Sequence, residues 1–452
     1  MAELTPKNLN RLAKAIMQRH HVSYERACEM LGELKLNLIC GEEIRNSPSL
    51  QAAVLTAINC GKRAFLGGVA IALPENTSLR IPWPTSGSFN KVVKELGAVE
   101  SIGKASATTR TIVFGDVKTV GEGLCLACDG WRGGVFPVGA TMTFEAGSDF
   151  ALGGVFAGAF AVARSFLSAS EISNRDVMEP TGYSLWRPDL SWLSADAIGP
   201  DLESLPAKLW LLGLGHLGQA YAWTLGLLPF SNEQPAKLFL QDYDLLEKGN
   251  WSAGLLCEES ELDKLKTRIC ANWLEARGFK TRLIERPFDH NIRRGDDEPR
   301  IALCGFDNPE SRQLLEDAGF ELVVDASLGA SMERFDRIVL RTFPDASTKA
   351  RDIYSNVQKE KAPIDQLDFG EKKDECGIVL DEIAGKAISS SFTGACAGAL
   401  VLAEVLRALH GGKRCEFLNA ELRSVDLPTD PYREEQYILR VARNGILPIR
   451  RC

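Results

Sequence analysis

The stretch AKLWLLGLGHLG, residues 207–218, constrains this chain more than any other. An apolar run of strand character ends in Gly213, Gly215 and Gly218, and the helix-forming run QAYAWTLGLL comes next. Each glycine has a separate use in such a turn. Gly213 permits the tight bend, Gly215 lets a phosphate approach the backbone, and Gly218 lets the helix pack against the strand. Free N–H groups and the helix dipole then favour an anion at the helix N-terminus. The fold class implied is α/β. A second apolar strand, AKLFLQDYD, ends near Asp242, 24 residues after Gly218. A carboxylate there would accept hydrogen bonds from ribose hydroxyls. On these residues alone NAD and ATP are equally compatible, so a nucleotide-dependent oxidoreductase stays open.

The chain also repeats itself. KLNLICGEEI (35–44) resembles KLWLLGLGHL (208–217), and GVFAGAFAVARSFL (154–167) resembles GACAGALVLAEVLRAL (394–409). Both halves run in the same order, strand first and small-residue helix last. The reading is two Rossmann-like units in tandem, 1–195 and 196–452, each long enough for its own core. Chance similarity of glycine- and alanine-rich helices is the alternative. The segment 179–206 between them, rich in Pro, Ser and Asp, suits a linker or a docking strap. The halves differ at the first turn, which reads CGEEIRN and keeps Gly41 alone. Glu42 and Glu43 would obstruct and repel a phosphate there. The first unit is therefore expected to be degenerate and the second active.

Composition narrows the partners. The net charge of −8 argues against nucleic-acid binding, which needs a basic face. Twelve cysteines show no disulfide framework and read as reduced thiols of a cytoplasmic protein. One C-x-x-C, Cys125 and Cys128 in GLCLACDGWRGG, has no second pair for zinc, and that segment reads only as a strand and turn. The N-terminus has no apolar signal core. The most apolar stretch, Phe150 to Ala163, is too short to span a bilayer and is expected to be a buried helix, with no membrane partner.

The residues beyond Asp242 separate NAD from ATP. Asn250 comes eight residues later and Lys266 sixteen after that. The strand IALCGFDN ends in Asp307 and Asn308, and a further strand ends in Asp325. With these elements the sequence resembles the ThiF/MoeB/ubiquitin-activating superfamily of adenylating enzymes. Its pattern is a glycine turn, D-x-D with an Asn eight on, a Lys on the next helix, and D-N ending a later strand. The resemblance covers roughly residues 205–410. It implies a nucleotide held by Gly213, Gly215, Gly218, Asp242 and Asn308, with Asn250 and Lys266 on the triphosphate and magnesium on Asp307. The cofactors implied are ATP and Mg2+. Lys266 and Asp307 would be catalytic, because attack of a carboxylate on the α-phosphate needs cations and in-line positioning. Taken singly, Lys266 would read as a solvated helix lysine and Asp307 as a helix N-cap.

There is one departure. The family carries an arginine three residues after the Asn, and here that residue is Ala253. Arg268 is near in sequence. The family's second arginine comes in trans, from a helix ahead of the partner unit's first strand. NLNRLAKAIMQRHH stands in that place and offers Arg11 and Arg19.

Ubiquitin-activating types pair an inactive adenylation unit with an active one and carry a catalytic cysteine in a crossover segment. The corresponding stretch, about 345–390, is long and charged and holds Cys376 in DECGIVL. Charged neighbours favour its exposure, which a nucleophilic thiol requires. An ordinary loop cysteine is the alternative. Cys257 is the runner-up and Cys396, in the small-residue helix, a poor candidate. The whole chain resembles activating enzymes of bacterial ubiquitin-like conjugation operons, some of them antiphage. That implies adenylation of a ubiquitin-like protein, a thioester on Cys376 and transfer to a conjugating enzyme. A homodimer stays open, as do a sulfur-carrier adenylyltransferase and a silent scaffold. The final segment, 415–449, alternates apolar and polar residues and reads as late strands that grip the partner or extend a sheet edge.

Overall fold

The computed structural model describes residues 9–84, 87–101, 103, 106–118, 121–141, 143–173, 179–231, 233–345, 347–355, 387–424, 432–433 and 445–450. Two helices, α1 (Leu12–His20) and α2 (Tyr24–Glu33), precede the first strand. The first half then runs β1 (Lys35–Cys40), α3 (Pro48–Ala64), β2 (Val69–Ala72), α4 (Phe89–Glu95), β3 (Thr109–Phe114), β4 (Leu124–Cys128), β5 (Arg132–Pro137), α5 (Ala151–Ala169) and β6 (Thr181–Ser184). The second half runs β7 (Ser204–Pro206), β8 (Lys208–Leu212), α6 (His216–Leu227), β9 (Lys237–Gln241), α7 (Lys266–Glu275), β10 (Lys280–Ile284), β11 (Ile301–Cys304) and α8 (Pro309–Arg312). It continues through β12 (Leu322–Leu328), β13 (Arg337–Phe343), α9 (Ala350–Ser355), α10 (Ser391–Leu409), β14 (Arg414–Cys415), β15 (Phe417–Glu421), β16 (Tyr432–Arg433) and β17 (Ile446–Pro448).

The fold is α/β with two largely parallel sheets. The second sheet has the order β10-β9-β8-β11-β12-β13-β15. Its first five strands are parallel, and β13 and β15 are antiparallel additions. That is the strand order of doubly wound nucleotide-binding folds, whose ligands sit beyond the carboxyl ends of the central strands. The first sheet has the order β2-β1-β3-β4-β5-β6, parallel up to β4 and antiparallel beyond it. It matches the second sheet strand for strand once β10 is left out. The two look-alike segments of sequence, β1 and β8, hold the same place. β8 is covered on both faces, with Leu209, Leu211 and Leu212 fully buried and Trp210 nearly so. Continuous apolar runs are what a central parallel strand requires.

Between the sheets lie α3, α5, α6 and α10. Small residues bring their backbones together. An ideal Cβ on Gly154 would lie 1.9 Å from the Ser49 carbonyl oxygen, and one on Gly158 2.2 Å from that of Ala53. Gly398 does the same for α10 on α6, 2.9 Å from the Ala220 carbonyl oxygen. The halves are docked through these helices. Trp223 Nε1 donates to Thr56 Oγ1 at 3.0 Å, and Phe166 packs on Phe392 with ring centroids 5.7 Å apart. One continuous apolar cluster runs through both halves.

The expected helix from Phe150 is longer than read from sequence, since α5 runs on to Ala169. By length and composition α5 and α10 are each apolar enough to cross a membrane, but each is 94% buried within this fold. The strap 179–206 is docked. Its β6 joins the first sheet, Trp192 is buried, and Ser184 Oγ donates to the Ala197 carbonyl at 2.8 Å. GLCLACDGWRGG is the β4–β5 hairpin. Asp129 Oδ1 accepts the N–H groups of Trp131 and Arg132 at 2.8 and 2.7 Å, and Oδ2 accepts Arg132 Nε at 2.8 Å. A buried ion pair with its hydrogen bonds filled in this way is tolerable in a core. In the final segment, Phe417–Glu421 forms the outer edge of the second sheet and Ile446–Pro448 pairs with β7.

Candidate nucleotide site

The site begins where β8 stops. Gly213, at φ +79°, packs against the residues after β11: an added Cβ would lie 3.0 Å from Phe306 Cδ1 and 3.1 Å from the Gly305 carbonyl carbon. At Gly218 a Cβ would lie 2.0 Å from the Gly213 carbonyl oxygen, so no side chain fits. Gly215 is different. Its φ of −73° suits any residue, and an added Cβ would meet nothing within 4 Å. No neighbouring atom excludes a side chain there, and an open backbone at a helix N-terminus is what an approaching phosphate needs.

Asp242 stitches this turn to the next strand end. Its Oδ2 accepts the Leu214 N–H at 2.5 Å and its Oδ1 the Asp244 N–H at 2.8 Å. Burial raises its pKa, while those N–H groups and Lys266 oppose the rise. Lys266 opens α7 and is buried. Its Nζ donates to Asp244 Oδ2 at 2.9 Å, and its N–H to the Asp244 carbonyl at 3.0 Å. It is not a solvated helix lysine. Asn250 closes the short 3-10 turn Lys248–Asn250, with Oδ1 accepting the Glu247 N–H at 2.9 Å.

Ala253 is buried, so a side chain at this position points away from solvent. The arginine at the site is Arg11. Its Nε donates to the Gly249 carbonyl at 2.9 Å, its N–H to Ser252 Oγ at 3.2 Å, and its Nη1 to Ser389 Oγ at 3.3 Å. Burial lowers its pKa, opposed by the carboxylates of Glu247 and Asp307. The other two candidates lie elsewhere. Arg19 donates to the Glu171 carbonyl at 2.6 Å, and Arg268 is exposed and paired with Glu285 at 3.0 Å.

Asp307 is exposed just past β11, and Asn308 rather than Asp307 caps α8, with Oδ1 accepting the Glu310 N–H at 2.8 Å. The preceding carbonyl, Phe306, is held by Arg312 Nε at 2.9 Å. Arg312 in turn lies 3.5 Å from buried Asp325, which also accepts the Tyr354 hydroxyl. Sequence reasoning reached Asp325 only as a strand end and missed Arg312 and Tyr354. It also missed His216, although that residue stands inside the glycine motif. The His216 ring bonds the backbone of Ser390, while its Nε2 is buried without a hydrogen-bond partner. Burial, with help from Arg11, pushes its pKa down to about 4, so it is neutral at pH 7.

The thiols divide clearly. Cys376 lies outside the described residues. Cys257, the runner-up, is buried, its Sγ bonds Gln219 Oε1 at 3.3 Å, and desolvation pushes its pKa up to about 11. A thiol kept protonated and covered is a poor nucleophile, which corrects that choice. Cys396 is fully buried, and the same desolvation raises its pKa.

The first half's turn is filled from within. Glu43 Oε2 lies 2.5 Å from the ideal Cβ positions of both Gly41 and Gly115, and accepts the Asp116 N–H at 3.3 Å. Glu42, expected to obstruct the turn as well, instead reaches outward to Arg45 at 2.5 Å.

Two family models match the chain. Residues 35–185 match the model of the BilD N-terminal domain, and residues 205–412 that of the BilD C-terminal domain. The chain is 35% identical over 434 residues to the bacterial E1-like protein BilD of Collimonas sp. (strain OK412), covering 93% of each chain. Among solved structures, E. coli MccB with MccA-N7isoASN aligns at a TM-score of 0.35 and 16% identity, over 51% of this chain and 66% of that one. The microcin C7 biosynthetic enzyme MccB in complex with N-formylated MccA aligns at 0.35 and 14%, over 69% and 96%. Those structural likenesses are slight, whereas the sequence relationship spans nearly the whole chain: this protein belongs to the BilD family of bacterial E1-like proteins.

Proposed function

We propose that the chain activates a ubiquitin-like protein at the expense of ATP, with residues 1–195 as an inactive adenylation-like unit and 196–452 as the active one. The observation that carries the reading is the open backbone at Gly215, with Arg11 close enough to act on the adjoining His216 and Lys266 on Asp242, whose carboxylate holds the Leu214 N–H. A C-terminal carboxylate oxygen of the partner attacks the α-phosphate of ATP. The bond from that phosphorus to the bridging oxygen breaks, and pyrophosphate leaves. Lys266 and Arg11 offset the charge that develops on the phosphates, with Arg11 in the place of the family's second arginine, ahead of the first strand. Asp242 sits where it can accept the ribose hydroxyls, and Asn250 and Asn308 border the phosphates.

Magnesium fits this donor set in a limited way. Asp307 offers one exposed carboxylate, and no group of three or more His, Cys, Asp or Glu able to hold a metal occurs among the described residues. That suits a cation held chiefly by the nucleotide's phosphates, as magnesium usually is. When bound, it would neutralise phosphate charge.

In the second step the Cys376 thiolate attacks the acyl carbon of the adenylate. AMP leaves, a thioester remains, and it passes to a conjugating enzyme's cysteine. All ten described cysteines are free, which fits the reducing cytoplasm proposed as its location. A role in antiphage defence belongs to the same reading.

The test is ATP–pyrophosphate exchange in the presence of a bacterial ubiquitin-like protein with a free C-terminal carboxylate. A non-reducing gel of the wild type, Cys376→Ala and Cys257→Ser accompanies it. Exchange plus a thiol-sensitive adduct lost only in Cys376→Ala is the expected result. Exchange with no adduct in any chain would make this an adenylyltransferase of the sulfur-carrier type. No exchange would overturn the adenylation reading.

A further inference from the structure

Arg63 ends α3 in the first half and is fully buried, yet its guanidinium faces the second half. Nε donates to the carbonyls of Trp251 and Gly254, both at 3.0 Å. Nη2 donates to the carbonyls of Cys257 at 2.9 Å and Leu255 at 3.3 Å. Nη1 turns back to Asn59, whose carbonyl it meets at 2.8 Å, and Asn59 Nδ2 adds a bond to the Leu255 carbonyl at 3.0 Å. Glu258 closes the loop on the outside, 2.7 Å from Lys62 Nζ and 3.6 Å from Arg63 Nη2.

This loop is irregular, and its carbonyls have no ladder to join. Buried backbone carbonyls without partners are costly, and one planar five-donor fork satisfies four of them at once. The same residue reaches Arg11 by its main chain. The Arg63 carbonyl accepts Asn10 Nδ2 at 2.7 Å, and Asn10 Oδ1 accepts the Leu12 N–H at 2.9 Å, which sets the start of α1. One residue thus holds both the loop that begins at Asn250 and the helix start that presents Arg11.

We infer that Arg63 is a positioning residue for the nucleotide site of the opposite half: it sets the 250–257 loop, and with it Asn250, Ser252 and Arg11, in the arrangement that receives the triphosphate. The inference rests on the nucleotide reading above. It also gives the first half a task that does not require it to bind nucleotide.

The test is calorimetric titration of Mg-ATP into the full-length chain, as wild type, Arg63→Lys and Asn59→Ala. Each variant is also melted, and its kcat and ATP KM are taken in pyrophosphate exchange. Lysine keeps the charge but loses the fork. The expected result for Arg63→Lys is an ATP Kd and KM weakened by about tenfold, with kcat changed much less. For Asn59→Ala, which removes one arm of the clamp, the same split is expected at about threefold. Should Arg63→Lys fail to fold, Asn59→Ala carries the test. An unchanged ATP Kd in a folded variant overturns the inference, as does a fall in kcat that tracks a fall in melting temperature with no change in KM. Wild type that binds no Mg-ATP overturns the nucleotide reading itself, a result distinguishable from either variant outcome.

Discussion

The turn after β1 and the turn after β8 leave the central strands of their sheets at the same place, and each is backed by a glycine at the end of a neighbouring strand, Gly115 in one case and Gly305 in the other. In the first, a side chain of the chain itself, Glu43, occupies the concavity over both glycines. In the second, the concavity over Gly215 is open. Position for position, CGEEI (40–44) and GLGHL (213–217) share no residue, and one turn carries its own carboxylate while the other leaves its backbone open. In both halves the helix interface that docks them is separate from the turn that leaves the central strand, so the turn can change without disturbing the docking.

The strongest way to break this comparison is to give the second turn the first turn's character. Gly215→Glu should reduce pyrophosphate exchange by at least ~100-fold, since it adds a negative charge where phosphate would approach the backbone donors. Its melting temperature should stay near that of the wild type, because the added side chain meets open space. If exchange survives, Gly215 is not where phosphate approaches. A smaller effect is expected from Arg11→Ala, on the order of tenfold to 100-fold in kcat with a lesser change in ATP KM, as for loss of one cation from a phosphoryl-transfer site. A loss confined to stability would assign Arg11 to docking α1 alone. The smallest effect sharpens the comparison from the other side. Glu43→Ala removes the bond to the Asp116 N–H and should lower unfolding free energy by about 1 kcal/mol in chemical denaturation. Calorimetry should still count one ATP per chain, because that turn lacks counterparts of Gly215 and Lys266. A count of two would mean that Glu43 alone silences the first half.

Much of this was legible beforehand, and the reasons are local. The glycine turn, Asp242 and Lys266 come from a continuous stretch in which each strand end feeds the next helix, so spacing along the chain translates directly into position. The paired small-residue helices were legible because close helix packing leaves a compositional trace. Other features were not. Asp307 read equally well as a cap, and only the neighbouring Asn308 Oδ1 bond to Glu310 shows which residue caps α8. Cys257 was the runner-up thiol, but its side chain turns inward to Gln219. A sequence records which residues are near along the chain, not which way a loop side chain points. His216 was passed over because a histidine within the motif has no meaning until its burial against α10 is seen.

The sequence by itself determined the α/β alternation, the two strand-turn-helix repeats and the open character of the second turn, because glycine geometry and apolar periodicity act within about 20 residues. The tertiary structure decided the rest. Arg11 meets Gly249 across 238 positions, and Arg63 meets Trp251 across 188. Both pairings exist only once the four central helices have packed. The physical reason is that a buried arginine finds its carbonyls through the shape of the folded interface, and shape at that separation leaves no periodic trace in the order of residues.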